Sequence, residues 1–316
     1  MAKTFYYLFK EIRPRQWVKN LTVFAAIFFN GKLLDPQLLN LTVLAFLSLC
    51  AASSAIYIIN DLSDVEKDRL HPFKKHRPLA SGKLPKEIAI FAAAVLAISA
   101  LLVANSISTS FLLLILIFFV MHITYSFYLK NVILFDILTI ASGFILRVFS
   151  GEVATGYHLN IWLFLTVVSV SLFLAVGKRR SELTLLAGWD GAIAAKTRAT
   201  LSHYSERMLD VYLSMFANSA WITYAFYTFL EKPPAYRNTI TRALLDNDLS
   251  IIADRKWLML TIPIVIYGIM RYLQLIYEKN EGESPEKVLL SDKPLIVTGL
   301  ILGGILFTII YVIGKY

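Results

Sequence analysis

Cysteine is almost missing from this chain: Cys50 is the only one in 316 residues. A lone thiol excludes an internal disulfide, and Cys50 reads as a small core residue. Histidine is scarce as well. The five histidines show no HExxH or other metal-ligand spacing, so they give no support for a zinc site. Charge is thin, with 17% charged residues where a soluble chain needs roughly 25% to cover its surface. No Gly/Ser-rich linker, low-complexity tract or soluble appendage interrupts the sequence, which is therefore expected to form one domain over 1–316.

The missing charge is replaced by grease. The chain is 57% hydrophobic with a mean hydropathy of +0.62. Its apolar runs approach or exceed the ~20 residues needed to span a bilayer. Only helices or closed barrels satisfy the backbone in lipid. These runs lack the period-two alternation of barrel strands, so the expected fold class is all-α, a polytopic bundle. The runs predict nine transmembrane helices: 17–33, 41–60, 86–104, 109–127, 131–150, 160–177, 209–230, 257–277 and 294–314. The N-terminal stretch is not expected to be a cleavable signal, because its basic region runs on to Lys19 and no small-residue cleavage site follows.

Charge asymmetry orients the bundle. With the N-terminus in the cytoplasm, the cytoplasmic segments hold 23 Lys and Arg and the outside segments 7, five of them near 231–256. The positive-inside rule then puts the N-terminus inside and the C-terminus outside. The net charge of +9 fits anionic lipid headgroups and equally fits phosphorylated substrates. The second and sixth spans each run into a long, charged cytoplasmic loop, although no internal repeat emerges.

The first of those loops begins "NDLSDVEKDRLHPFKKHRPLASG" (60–82). Continued as a helix at about 100° per residue, Asn60, Asp61, Asp64 and Asp68 fall at about 0°, 100°, 40° and 80°, on one quarter of the surface. Glu66 and Arg69 point away. Three carboxylates and an amide oxygen so arranged repel one another unless a cation sits among them. Hard oxygen ligands select Mg2+, with Mn2+ as a substitute. Mg2+ is usually held by carboxylates together with substrate phosphates, which makes a diphosphate the expected partner. The competing reading is a solvated acidic face capping a transmembrane helix. Downstream, Arg69, His71, Lys74, Lys75 and Arg77 could bind further phosphate oxygens, or could simply be the basic residues of any cytoplasmic loop.

The pattern N-D-x-x-D-x-x-x-D after the second span resembles the first aspartate motif of the UbiA superfamily of intramembrane prenyltransferases, and "RPLASG" and the nine-span count agree. "RPRQWVKN" (13–20), "DVEKDRLHPFKKHRP" (64–78), "GKRRSEL" (177–183) and "GESPEKVLLSDKPL" (282–295) are similar to its polyprenyl-phosphate (decaprenyl-phosphate) phosphoribosyltransferase branch. The resemblance implies a UbiA-type helical bundle with cytoplasmic cap loops in the inner membrane of a bacterium, with a cytoplasmic active site. It also implies transfer of 5-phosphoribose from phosphoribosyl diphosphate to a polyprenyl phosphate, for synthesis of pentofuranosyl donors of the cell envelope. Asp61, Asp64 and Asp68 would carry the chemistry and, with Asn60, the metal. No nucleic-acid partner is expected, and an oligomer is compatible with the sequence.

One departure from the wider superfamily is informative. Aromatic prenyltransferases usually carry a second D-x-x-x-D motif after span six; here that place holds Lys178, Arg179, Arg180 and Glu182. Lys178 and Glu182, at i and i+4, could be a surface ion pair worth a few tenths of a kcal/mol. The alternative is that cationic phosphate contacts replace a second acidic metal site. A polyprenyl phosphate is already ionised at pH 7 and needs no general base, consistent with the lack of a His–carboxylate pairing. Tyr125 and Lys130 resemble the superfamily's Tyr…Lys element and could bind phosphate, or serve as an aromatic-belt residue and an interfacial lysine. Arg15, Gln16 and Lys19 could meet the lipid phosphate or anchor the first span. Asp136, inside span five, should pair with a site cation or snorkel to the surface. Arg147 reads as structural. The competing functions are prenyl transfer to an aromatic acceptor and a transporter or lipid carrier. Against the last, charges gather at the cytoplasmic boundary, whereas transporters more often place them near the midplane.

Overall fold

Helix starts follow capping residues in the sequence. Asp35 accepts hydrogen bonds from the amides of Gln37 and Leu38 at 3.0 and 3.2 Å, with Pro36 in the first helical position. Ser108 caps the next turnaround by accepting from Phe111 N, Ser205 accepts from Met208 N, and Asp292 accepts from Leu295 N. The computed structural model describes residues 2–70, 74–187, 203–231, 256–279, 288 and 290–313. Its helices are α1 (Ala2–Ile12), α2 (Ala25–Phe29), α3 (Pro36–Ser63), α4 (Val65–Leu70), α5 (Lys86–Ile107), α6 (Thr109–Phe127), α7 (Phe135–Thr155), α8 (Ile161–Ala187), α9 (Glu206–Leu230), α10 (Ile262–Lys279) and α11 (Lys293–Phe307).

Seven helical stretches among the described residues are long and apolar enough to cross a membrane, so the chain is a multi-pass membrane protein. The predicted spans at 17–33 and 209–230 are not among the seven. The latter lies within α9, whose 25 residues include Asn218, Ser219, Trp221, Thr223 and Tyr224 and are correspondingly less apolar. The former departs more. Pro14–Phe24 winds as a 3-10 helix and continues into the single short helix α2. The narrower 3-10 coil lets its backbone touch α7 directly: a Cβ on Gly151 would stand 2.0 Å from the Val23 carbonyl oxygen.

Small residues bring the long helices together, as expected where lipid supplies no hydrophobic drive. Ala45, Ala52 and Ala55 of α3 face Ala100 and Ala104 of α5 in one buried cluster, and Ser48 Oγ donates to Ala100 O at 2.9 Å. A second cluster joins α7, α8, α9 and α10 around Phe173, Leu209, Leu213 and Leu275. Successive long helices alternate in direction. The C-terminal ends of α3, α6 and α8 and the starts of α7 and α9 therefore meet at one end of the bundle.

Arg147 joins three elements inside that bundle. It donates to Asn20 Oδ1 at 2.8 Å, to Gly143 O at 2.5 Å and to Ser53 Oγ at 3.4 Å, and lies over the Phe118 ring. This fits the structural role read from the sequence.

Candidate functional site

The helical register through the acidic stretch survives a small break. Asp64 ends α3 with φ −103° and ψ 5°, yet Asp64 N still donates to Asn60 O (3.0 Å) and Asp68 N to Asp64 O (2.8 Å). The half-buried Asn60 and the three carboxylates consequently share one face, as the spacing predicts. Each carboxylate is met by a cation. Arg13 Nη2 donates to Asp61 Oδ2 in a very short ion pair. Arg77 Nη1 donates to Asp61 Oδ1 at 2.9 Å and to Asp68 Oδ2 at 2.6 Å. Lys130 Nζ donates to Asp64 Oδ1 at 2.7 Å. Asp61 and Asp68 are nearly sealed, and the side chain of Asp64 is the most open of the three at 18% exposure. Burial holds the Asp68 carboxyl above its ordinary range despite Arg77 beside it.

Among the described residues, no three carboxylates, imidazoles or thiolates are gathered closely enough to hold a metal ion. The acids instead hold guanidinium and ammonium groups. The donor set nonetheless fits a hard divalent cation: it offers oxygen only, from two consecutive turns of one face, in a place that already draws positive charge.

Two residues of this cluster were not singled out in the sequence. Arg13 lies within the "RPRQWVKN" segment, and Glu11 is the only acid before Asp35. Glu11 is 1% exposed, lies against Asp61, and has no hydrogen-bond partner for Oε1 among the described residues. Burial, then the hydrogen bond to Asp61 and its charge, push the Glu11 pKa from 4.5 to about 8. The raised value means that the folded state holds this proton more tightly than the unfolded chain. The associated stability is fully present below about 4.5 and is lost as pH rises through about 8. Thermal melting in metal-free detergent should therefore drop between pH 6.5 and 9 more steeply for the wild type than for Glu11→Gln. Parallel slopes for the two proteins would contradict this assignment.

A second cluster lies where α8 passes the ends of α6 and α7. Arg179 is fully buried. It forms a very short ion pair with Glu182, donates to Tyr125 Oη at 3.0 Å, and brings Nε to 2.6 Å from Asp136 Oδ2, a charge contact without hydrogen-bond alignment. Tyr204 Oη donates to Asp136 Oδ1 at 2.6 Å and accepts from Leu134 N at 2.7 Å. Leu134 has φ 66°, so Tyr204 ties down a turn that a leucine rarely adopts. Lys178 is half-buried, and its electrostatic neighbours are Glu182, Tyr125, Arg179 and Lys19.

The last turn of α6 and the 3-10 turn after it connect the clusters: Tyr125 reaches Arg179 and Lys130 reaches Asp64. The surface-pair reading of Lys178 and Glu182 is thereby corrected. Glu182 is buried rather than at the surface, and it pairs with Arg179, three residues away, with Lys178 among its electrostatic neighbours. Of the alternatives for Asp136, pairing with a site cation holds.

The remaining candidates divide. Arg180 turns away from Arg179 and binds Asp210 (2.8 Å) and Glu206 (3.0 Å) of α9, over the Tyr277 ring, so the structure does not bring it to the Arg179 cluster. Lys74 is half-buried and acts on Asp68, whereas Lys75 is exposed. Arg69 pairs with Glu66 at 3.0 Å and donates to Ala80 O, facing away as its helical angle requires. Lys19 stands 5.9 Å above the Phe144 ring. His71 lies outside the described residues, as does much of 282–295; within that stretch Asp292 pairs with Arg271 at 2.8 Å. Tyr204 left no signal in the sequence, since it approaches Asp136 across 68 positions.

The UbiA prenyltransferase family profile matches residues 20–180. A protein named decaprenyl-phosphate phosphoribosyltransferase from Mycolicibacterium smegmatis is 33% identical over 91% of this chain and 87% of its own length. One of the same name from Corynebacterium glutamicum is 32% identical over 93% and 83%. Among solved structures, a UbiA homolog from Archaeoglobus fulgidus bound to GPP and Mg2+ superposes with a TM-score of 0.67, at 18% identity, over 96% of this chain and 99% of that one.

Proposed function

We propose, from the premise that this chain belongs to the UbiA prenyltransferase family, that it transfers 5-phosphoribose from phosphoribosyl diphosphate to a polyprenyl phosphate. The observation that carries this reading is the pairing of an acidic face with a buried cationic cluster at one end of the bundle. Lys178 and Arg179 stand where a second aspartate motif would serve an aromatic prenyltransferase. Similarity over most of the chain to relatives named for this activity supports it.

Asp61, Asp64 and Asp68, with the Asn60 amide, would hold Mg2+, which when bound neutralises charge on the departing diphosphate. Arg77 and Lys130 sit on the same carboxylates and are long enough to turn from them to the phosphate oxygens. Lys178, Arg179 and Tyr125 present donors on the far side of the α6 terminus, for the 5-phosphate or the lipid phosphate. Asp136, Glu182 and Tyr204 keep the Arg179 guanidinium in one orientation. An oxygen of the ionised lipid phosphate forms the new bond to ribose C1, and the bond from C1 to diphosphate breaks with its electron pair leaving on the diphosphate. No proton has to be removed from the acceptor.

The charge asymmetry supports placing this end of the bundle, with the N-terminus, on the cytoplasmic side of a bacterial inner membrane and the C-terminus outside. The soluble donor would arrive there, while the lipid phosphate lies at the same depth.

Two outcomes check the reading. Offered a prenyl diphosphate and an aromatic acceptor, the purified protein should give no prenylated product; turnover of that pair would favour the alternative, prenyl transfer. Lys178→Gln should raise the KM of a phosphate-bearing substrate about tenfold or more, the loss expected for one charge-assisted contact. An unchanged KM for both substrates would return Lys178 to a purely structural role.

A further inference from the structure

The N-terminal helix α1 has two faces that the proposed reaction does not explain. At about 100° per residue, Phe5, Phe9 and Tyr6 share one ~100° arc, Lys10 and Lys3 border it, and Glu11 lies opposite. The structure follows this division. Phe5, Tyr6 and Phe9 are 73%, 61% and 54% exposed. Tyr7, Leu8 and Ile12 pack on the buried Ile58, Val65, Leu79 and Leu84. The exposed charges of α1 itself are of one sign. Lys3, Lys10, Arg15 and Lys83 are exposed, Lys83 lies 5.7 Å above the Tyr7 ring, and the only acid of α1, Glu11, is buried.

The helix is also tied to the acidic cluster. Ser54 Oγ of α3 donates to Ile12 O at 3.0 Å. The next residue, Arg13, has φ 56° and ψ 60° and carries the guanidinium that meets Asp61. A non-glycine residue in this left-handed region is held there by its surroundings rather than by local preference. The seat of α1 therefore sets where the Arg13 side chain stands.

We propose that α1 is a docking element for the anionic surface of the leaflet next to the acidic cluster. Phe5, Tyr6 and Phe9 enter the boundary between headgroups and acyl chains, and Lys3, Lys10, Arg15 and Lys83 meet acidic headgroups. The engaged helix keeps Arg13 at Asp61. Anionic lipid and the donor site are then linked, and each strengthens the other. Docking itself stands apart from the proposed reaction; only the effect on donor KM rests on that reading.

The test uses the full chain in nanodiscs of phosphatidylcholine, with or without phosphatidylglycerol, read by amide hydrogen exchange over residues 2–12. Exchange should slow at least about fivefold when phosphatidylglycerol is present, on the order of one basic residue's surface attraction. Lys3→Gln/Lys10→Gln should lose most of that slowing, with α3 amides protected as in the wild type to show that the fold is kept. Equal exchange in both discs, or a lipid effect that survives the double substitution, would overturn the docking site. In parallel, phosphatidylglycerol should lower the donor KM of the wild type but not that of the double variant, with kcat unchanged in both. A KM indifferent to phosphatidylglycerol beside lipid-dependent exchange would overturn the Arg13 link. Absence of any turnover beside lipid-dependent exchange would overturn the proposed reaction and uphold the docking site.

Discussion

Asp64→Ala is expected to cut turnover by about 10²- to 10³-fold while leaving the unfolding transition close to that of the wild type. The magnitude is that of losing one preorganised group that stabilises charge developing in the transition state. The selectivity comes from the structure. Asp64 is the most open of the three acids and, among the described residues, is paired with one cation, Lys130, so its removal unpairs one charge rather than two. Asp61 is a poorer probe, because it is paired with two cations, and its loss would take the carboxylate from Arg13 and leave Arg77 with Asp68 alone. Initial rates with saturating substrates, beside a melting curve on the same preparation, separate the two effects. Near wild-type rates for Asp64→Ala would remove the acidic face from the reaction.

Arg179→Ala should produce the largest loss of stability of any single substitution in the site, about 3–5 kcal/mol. The guanidinium is wholly buried and answers two buried carboxylates, Asp136 and Glu182. Truncation leaves both acids without their cation in a medium that cannot hydrate them. Arg179→Lys keeps the charge but not the planar fork that reaches Tyr125 and both acids at once, so it should recover only part of the loss. Denaturant unfolding in detergent, followed by tryptophan fluorescence, measures both variants. A loss under about 1 kcal/mol, the worth of an exposed ion pair, would contradict the buried-network description.

The long helices and the acidic face were legible in the sequence for one reason: both depend on local periodicity. Runs of apolar residues reach membrane length without help from the rest of the chain, and the spacing of Asn60, Asp61, Asp64 and Asp68 defines a face wherever a helix forms. The partners of those acids were not legible. Arg13, Arg77 and Lys130 reach them across 48, 9 to 16, and 66 positions, distances over which no periodic pattern operates. Arg179 and Arg180 read alike as neighbours in a basic motif, yet one helical step of about 100° sends the first into the site and the second to α9. The 3-10 stretch Pro14–Phe24 comes with a close backbone approach to Gly151, which no hydropathy profile registers. Tyr204 belongs with these cases. Its role exists only because α7 and α9 begin at the same end of the bundle.

The account stands most directly on the fate of the donor. Purified protein should be given phosphoribosyl diphosphate labelled in the ribose, a polyprenyl phosphate and Mg2+, with EDTA in a parallel reaction, and the lipid fraction analysed by mass spectrometry. The predicted result is a lipid carrying both its own phosphate and the 5-phosphoribose, formed with one diphosphate per transfer and lost with EDTA. Diphosphate release without label in the lipid, or labelled lipid formed equally well in EDTA, would contradict it.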